Sequence, residues 1–370
     1  MDRRVEALAD QLSRGALAGW PATSVAALVI GLYALVVFTF FSVTAGVLSW
    51  VERRVTARMQ SRIGPNRVGP QGFLQWLADG LKTFLKEDLV PVGADAVLFR
   101  AAPYFVLTGT FLTLVALPFS SRVIAADLNV GLLYVMAITS LVVVGLLMAG
   151  WASNNKWSIL GGMRSAAQIV SYEIPAALAL LVPIMLAGSL STQQIIDRQG
   201  AIDWFVFHDP FTFVSFWIFL VSATAEGNRA PFDIPEAESE LVSGYNTEYS
   251  GMRFLFFFFA EWGNLFVIGA VATVAFLGGW KVPFLAQESW ARPPLEVLCF
   301  LAKSFVWVFV LIWVRWTLPR LRVDQLMALC WKYLIPISLV NLTGAAIWMV
   351  VTGNRSLLDL VALSLGSGRS

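Results

Sequence analysis

The stretch EGNRAPFDIPEAESELVSGYNTEYSG (Glu226–Gly251) decides how the rest of the chain is read. It carries six acids, Glu226, Asp233, Glu236, Glu238, Glu240 and Glu248, against one base, Arg229, and it separates two strongly apolar segments. The chain is 58% hydrophobic and 14% charged, so these 26 residues hold a quarter of its 24 acids. Carboxylates crowded at a membrane face raise one another's pKa and can exchange protons near neutral pH. A solvated linker between two helices is the plain alternative for any acidic run.

Outward from that stretch the composition belongs to a membrane protein: 15 Trp and 27 Phe in 370 residues, with several apolar runs long enough to cross a bilayer as helices. Spans are expected at 25–50, 103–119, 131–151, 166–188, 211–225, 254–277, 296–316 and 334–352. All eight are helical, because lipid offers the backbone no other partner. The fold class is an all-α polytopic membrane protein of a single domain, residues 1–370. It has an interfacial N-terminal helix (1–22), two functional loops (51–100 and 226–253) and a C-terminal tail (353–370). The first apolar run is too long for a cleaved signal peptide and lacks a small-residue cleavage site.

The first loop passes through RIGPNRVGP (Arg62–Pro70) into GFLQWLADGLKTFLKE (Gly72–Glu87). In the latter, Phe73, Leu74, Leu77, Leu81, Phe84 and Leu85 oppose Gln75, Asp79, Lys82 and Lys86, as in a helix lying on a membrane surface. Sixteen of the 26 bases fall in the four loops on the side opposite the termini. The positive-inside bias therefore places both functional loops in the cytoplasm and both termini outside.

Ionisable groups within spans are costly and usually face the bundle interior. Glu173 and Glu261 each lie about seven residues inside their spans, on the order of 10 Å deep. Lys303 either snorkels outward or pairs internally. Glu226 and Arg229, three residues apart, are placed to share a helix face and pair. Trp50, Trp151, Trp157, Trp280, Trp290, Trp316 and Trp331 fall near span ends, as interface anchors do. Cys299 and Cys330 form no CxxC, His208 is the sole histidine, and no phosphate-binding glycine motif occurs. An iron–sulfur cluster, a bis-histidine haem or a bound nucleotide therefore has no footing in this chain.

PFDIPEAESELVSG (Pro231–Gly244) and GFLQWLADGLKTFLKE resemble, along their whole length, the two signature motifs of the H subunit of bacterial NADH:quinone oxidoreductase, equivalent to mitochondrial subunit 1 of respiratory complex I. ERR (Glu52–Arg54), GPNRVGP (Gly64–Pro70), GWASNNKWSILGGMR (Gly150–Arg164), SYE (Ser171–Glu173) and RVDQLM (Arg322–Met327) add to the resemblance. It implies an inner-membrane subunit that joins a peripheral redox arm to a proton-pumping membrane arm. That arrangement has FMN and iron–sulfur clusters in partner subunits, quinone as substrate and no cofactor bound by this chain. The implied partners are the peripheral-arm quinone-site and iron–sulfur subunits, small membrane subunits, antiporter-like subunits and lipid.

By the same resemblance, Glu52, Arg53, Arg62, Arg229, Phe232, Arg315 and Arg320 match the quinone chamber. Asp79, Glu173, Glu226, Asp233, Glu236, Glu238, Glu240 and Glu261 match a proton relay. The chain departs from the family pattern at Val144 and Trp262, where tyrosines are usual. Two rival readings stay open from sequence: a stand-alone cation/proton antiporter, and a quinone-independent anchor of a hydrogenase-type complex.

Overall fold

The computed structural model describes residues 22–201, 203–283, 292–353 and 355–357. The expected N-terminal interfacial helix and Trp290 lie outside them, as does nearly all of the C-terminal tail. The described residues are helical, without strands. In chain order the α-helices are α1 (Ala22–Met59), α2 (Gln75–Leu85), α3 (Ala96–Thr113), α4 (Gly131–Ala152), α5 (Lys156–Ala187) and α6 (Thr192–Arg198). There follow α7 (Pro210–Glu226), α8 (Glu238–Leu241), α9 (Gly251–Phe276), α10 (Arg292–Thr317), α11 (Val323–Ala328) and α12 (Ile335–Thr352). A π-helical turn, Leu329–Leu334, joins α11 to α12. Among the described residues seven helices are long and apolar enough to cross a membrane, α11 to α12 counting as one, and α7 is a shorter apolar helix at the place of the expected fifth span.

The helices outrun the apolar runs because their ends are set by capping rather than by hydropathy. Asp95 caps α3 by accepting from the amides of Val97 and Leu98. Asn155 caps α5 by accepting from Trp157, eleven residues before the expected start of that span. Asp209 and Thr212 close a capping box on α7, with Asp209 Oδ1 accepting from the Thr212 amide at 2.7 Å. ERRV (Glu52–Val55), read as the opening of the first loop, is instead the last part of α1, which runs on to Met59. The surface helix is shorter than its amphipathic stretch. Leu77, Leu81, Phe84 and Leu85 stand exposed on it, which leaves an apolar face free at the membrane boundary.

In the bundle, α4 packs on α3 and α5, α7 packs on α5, and α9 packs on α3 and α10. Phe41, Phe119, Phe216, Phe266, Phe276 and Phe300 fill the core around α9. Among the described residues Lys303 meets no carboxylate. Its ammonium donates to the carbonyls of Leu277 (2.8 Å) and Gly279 (3.0 Å) beyond the end of α9, beside the Trp204 ring. A cation at a helix C-terminus satisfies carbonyls that the helix itself leaves open.

The acidic stretch is not a solvated linker. Phe232, Ile234, Ala237, Leu241, Tyr245 and Tyr249 are buried. Tyr249 stacks on Phe99 with centroids 4.1 Å apart, and Tyr172 and Phe232 pack at 5.7 Å. Burial of each large side chain stabilises the seat by about 1.5–3 kcal/mol. Glycines make the close approach possible. Gly244 has φ +56°, and a Cβ there would overlap the Pro235 carbonyl. A Cβ on Gly161 of α5 would sit 2.7 Å from the Gly244 Cα. Gly161→Ala is therefore expected to unseat the loop and lower the amount of assembled complex on native gels. Gly80→Ala, on α2 with open space about it, should leave that amount unchanged.

Candidate functional site

Arg229 is the centre of the site. It follows the end of α7 and is 2% exposed. The expected pairing with Glu226 is not made: α7 ends at Glu226, so the two residues share no continuing helix face. Arg229 reaches across the bundle instead. Its Nη1 donates to Glu52 Oε2 of α1 at 3.3 Å, and its Nε lies 2.9 Å from Glu261 Oε1 of α9. Glu52, itself 5% exposed, accepts on its other oxygen from Arg315 of α10 (2.7 Å) and from Trp316 Nε1 (3.3 Å). Trp316 is thus a ligand of the carboxylate as well as a span-end aromatic. Burial works against the Arg229 cation, but the charges of Glu261, Glu52, Glu236 and Asp233 more than offset it and hold the group ionised.

A second layer lies beside this network. Glu236 is approached by Tyr245 Oη (3.0 Å) and Asn246 Nδ2 (2.8 Å), both of which donate to Oε1. Glu226, Glu236 and Glu261 line one cavity together with Asn228, Asn264 and Tyr245. The cavity measures about 30 Å³, enough for ordered water among polar groups. Thr139 of α4 and Glu173 of α5 are both close enough to act on Glu226.

Burial, with the Glu261 and Asp233 carboxylates close by, pushes the Glu236 carboxyl up from 4.5 to about 8, against the Tyr245 hydrogen bond and the Arg229 charge. The folded loop therefore holds this proton more tightly than an unfolded chain would. Its packing is fully supported below 4.5 and loses that support as pH rises through about 8. Tyr245 is pushed well above the usual phenol value by burial, reinforced by Glu236 and Glu261.

The other residues expected from sequence divide by position. Asp233 pairs with Arg320 at 3.2 Å, and the Leu321 amide donates to the Pro231 carbonyl (3.0 Å), so the start of the loop is tied to the chain beyond α10. Phe232 is buried against Tyr172, Leu326 and Cys330. Arg53 pairs with Asp79, tying α1 to α2. Glu240 is exposed and pairs with Arg164 at 2.7 Å, away from the cavity. Arg62 is exposed, with Gln60 as its partner. Glu173 is half-buried and does not line the cavity. The Glu238 side chain lies outside the described residues. Val144 is exposed on α4, so the missing hydroxyl there faces away from the cavity that Val142 lines. Among the described residues no cluster of His, Cys, Asp and Glu has metal-binding geometry.

Sequence reasoning passed over Gln168. It is 1% exposed, and its Nε2 donates to the carbonyls of Ala225 (2.7 Å) and Phe232 (2.8 Å) and to Asn228 Oδ1 (3.2 Å). A single amide thereby fixes the backbone on both sides of Arg229. A buried glutamine in the apolar run AAQIVSYE, five residues before Glu173, was the available signal.

The chain is thus a polytopic helical membrane protein that seats an acidic loop against its bundle and buries an arginine between carboxylates from distant helices. The particular lineage is set by comparison. A profile described as NADH dehydrogenase matches residues 32–346, and the chain belongs to that family. It is 52% identical to the H subunit of NADH-quinone oxidoreductase from Anaeromyxobacter dehalogenans (strain 2CP-C), over 90% of this chain and 86% of that one. It is 51% identical to the protein of that name from Chlorobaculum tepidum (85% and 90% covered) and 48% identical to the one from Chlorobium luteolum (95% of each).

Two outcomes follow from the geometry. Glu52→Gln strands a buried arginine and should destabilise the assembled protein by about 3–5 kcal/mol. Arg315→Gln should cost less, because that side chain is 27% exposed. Thermal denaturation in detergent measures both. Infrared difference spectra across a pH series should show a carboxylic-acid band titrating near 8, absent from Glu236→Gln. The same band persisting in that variant removes Glu236 as its source.

Proposed function

We propose that this chain is the membrane subunit of a proton-translocating NADH:quinone oxidoreductase that forms part of the quinone chamber and couples quinone reduction to proton movement through its buried carboxylates. The observation that carries this reading is the chain of groups Arg315–Glu52–Arg229–Glu261, which runs from α1 and α10 into α9 and adjoins a cavity lined by Glu226 and Glu236.

Quinone enters from the bilayer between apolar and aromatic walls and takes its place at a head-group site built largely by peripheral-arm subunits. Those partners hold the FMN and iron–sulfur clusters and deliver two electrons. The quinone takes up two protons and leaves as quinol. Glu52, with Arg315, Trp316 and Arg229 about it, and Arg53 with Asp79 border the chamber, while Arg320 and Phe232 hold the acidic loop beside it. Proton withdrawal at the chamber alters the charge seen by Arg229 and through it by Glu261, Asp233 and Glu236. Glu226 and Glu173 pass the change deeper into the membrane, toward antiporter-like neighbours. The acidic loop faces the cytoplasm of a bacterial inner membrane and the termini face the periplasm. Clefts that hold water and groups of opposed charge are suited to such transfer, because small changes of partner shift proton affinity across neutral pH.

In inverted membrane vesicles, Asp233→Asn and Glu261→Gln should each lower NADH-driven quinone reduction and proton uptake together, by roughly tenfold or more, with the complex still assembled. Wild-type rates for both variants would remove these carboxylates from the coupling. Proton or cation exchange by the isolated chain in liposomes, without quinone or partners, would favour a transporter instead.

A further inference from the structure

Trp262 lies directly after Glu261 on α9, so the two side chains project from neighbouring positions of the same turn and flank Arg229 together. Glu261 Oε1 lies 2.9 Å from Arg229 Nε as an ion pair without hydrogen-bond geometry, and Glu52 accepts a hydrogen bond from Nη1. The face of the guanidinium is taken by the Trp262 ring, 4.4 Å from Cζ to the ring centroid. Trp262 is 3% exposed and is itself held by the edge of Phe258 at 5.8 Å. Arg229 Nη2 has no acceptor among the described residues. The indole is therefore a third partner of this buried cation, and the one whose attraction does not depend on a protonation state.

We propose that Trp262 is the positioning residue that keeps Arg229 between Glu52 and Glu261 while those carboxylates change charge. The inference rests on the relay reading given above. The charged groups that face Arg229 are Glu52 from α1, Glu261 from α9, and Glu236 and Asp233 from the acidic loop, with Arg315 of α10 competing for Glu52. A proton arriving on Glu261 removes the ionic attraction at Nε and leaves Glu52 to draw the guanidinium toward α1. A desolvated aromatic face opposes that displacement, because its quadrupole attracts the cation whatever the carboxylates hold. Arg229 then remains within reach of Glu261 for the next proton.

The experiment uses the assembled complex with tryptophan, mono-, di- and tetrafluorotryptophan incorporated at position 262. Fluorination weakens the negative ring face with little change of size. NADH-driven reduction of a short-chain quinone and vesicle acidification are the readouts, and native gels report assembly. Turnover should fall stepwise with fluorine number, by roughly tenfold across the series at constant assembly, with the quinone KM unchanged. Trp262→Phe, which keeps an aromatic face, should fall within that range, and Trp262→Leu should lie below it. A flat fluorotryptophan series overturns the inference even where Trp262→Leu is inactive, because a packing role tolerates fluorine. Arg229→Lys and Arg229→Gln separate the two levels. Wild-type turnover in those variants sinks the relay reading itself, whereas loss of turnover there beside a flat fluorotryptophan series sinks only the role of Trp262.

Discussion

A buried guanidinium sets the terms for the rest of this structure. Once Arg229 is 2% exposed, it needs opposite charge from whatever backbone is near, and that charge comes from α1 and α9. Two unit charges at contact distance attract by about 4 kcal/mol at the effective dielectric of a protein interior, and removing one partner leaves a penalty of similar size. The ends of α1, α7 and α10 are therefore tied at one point to the interior of α9, and the helices carrying Glu52 and Glu261 cannot be repacked independently of the loop that carries Arg229.

The same constraint explains how so acidic a stretch comes to be buried. Its aromatic and aliphatic residues, Phe232, Ile234, Leu241, Tyr245 and Tyr249, pack against α3, α5 and the α11–α12 junction. Its backbone is fixed by side-chain donors such as Gln168. The acids sort by environment. Glu240, facing outward, has Arg164. Asp233 has Arg320. Glu236 has the neutral donors Tyr245 and Asn246 at hydrogen-bond distance, and burial raises its affinity for a proton. Carboxylates that look alike in the sequence thus meet different partners over a few turns of chain.

Membrane class and the order of the spans were legible in the sequence, because hydropathy reports what lipid covers. Helix ends were less so, since Asn155 and Asp95 cap beyond the lipid-facing part. The partner of Arg229 was misread for a clear reason. Glu226 stands three positions away and suggested a helical pair, whereas Glu52 is 177 positions away and only the fold brings it near. Trp316 and Trp262 were hidden likewise. Tryptophan at a span end fits an interface anchor on composition alone, and its use as a carboxylate donor or a guanidinium platform needs coordinates. The loop motif indicated where the charge lies. That Glu240 and Arg62 stand apart from the cavity followed only from side-chain placement.

The capping of α9 by Lys303 gives that helix a fixed far end. Glu261 sits sixteen residues before Leu277, a lever of about 24 Å at helical rise. A helix held at one tip and gripped again ten residues in from the other resists sliding along its axis. On the relay reading, a pull at Glu261 would be delivered as a change of tilt against α3 and α10, on which the helix packs.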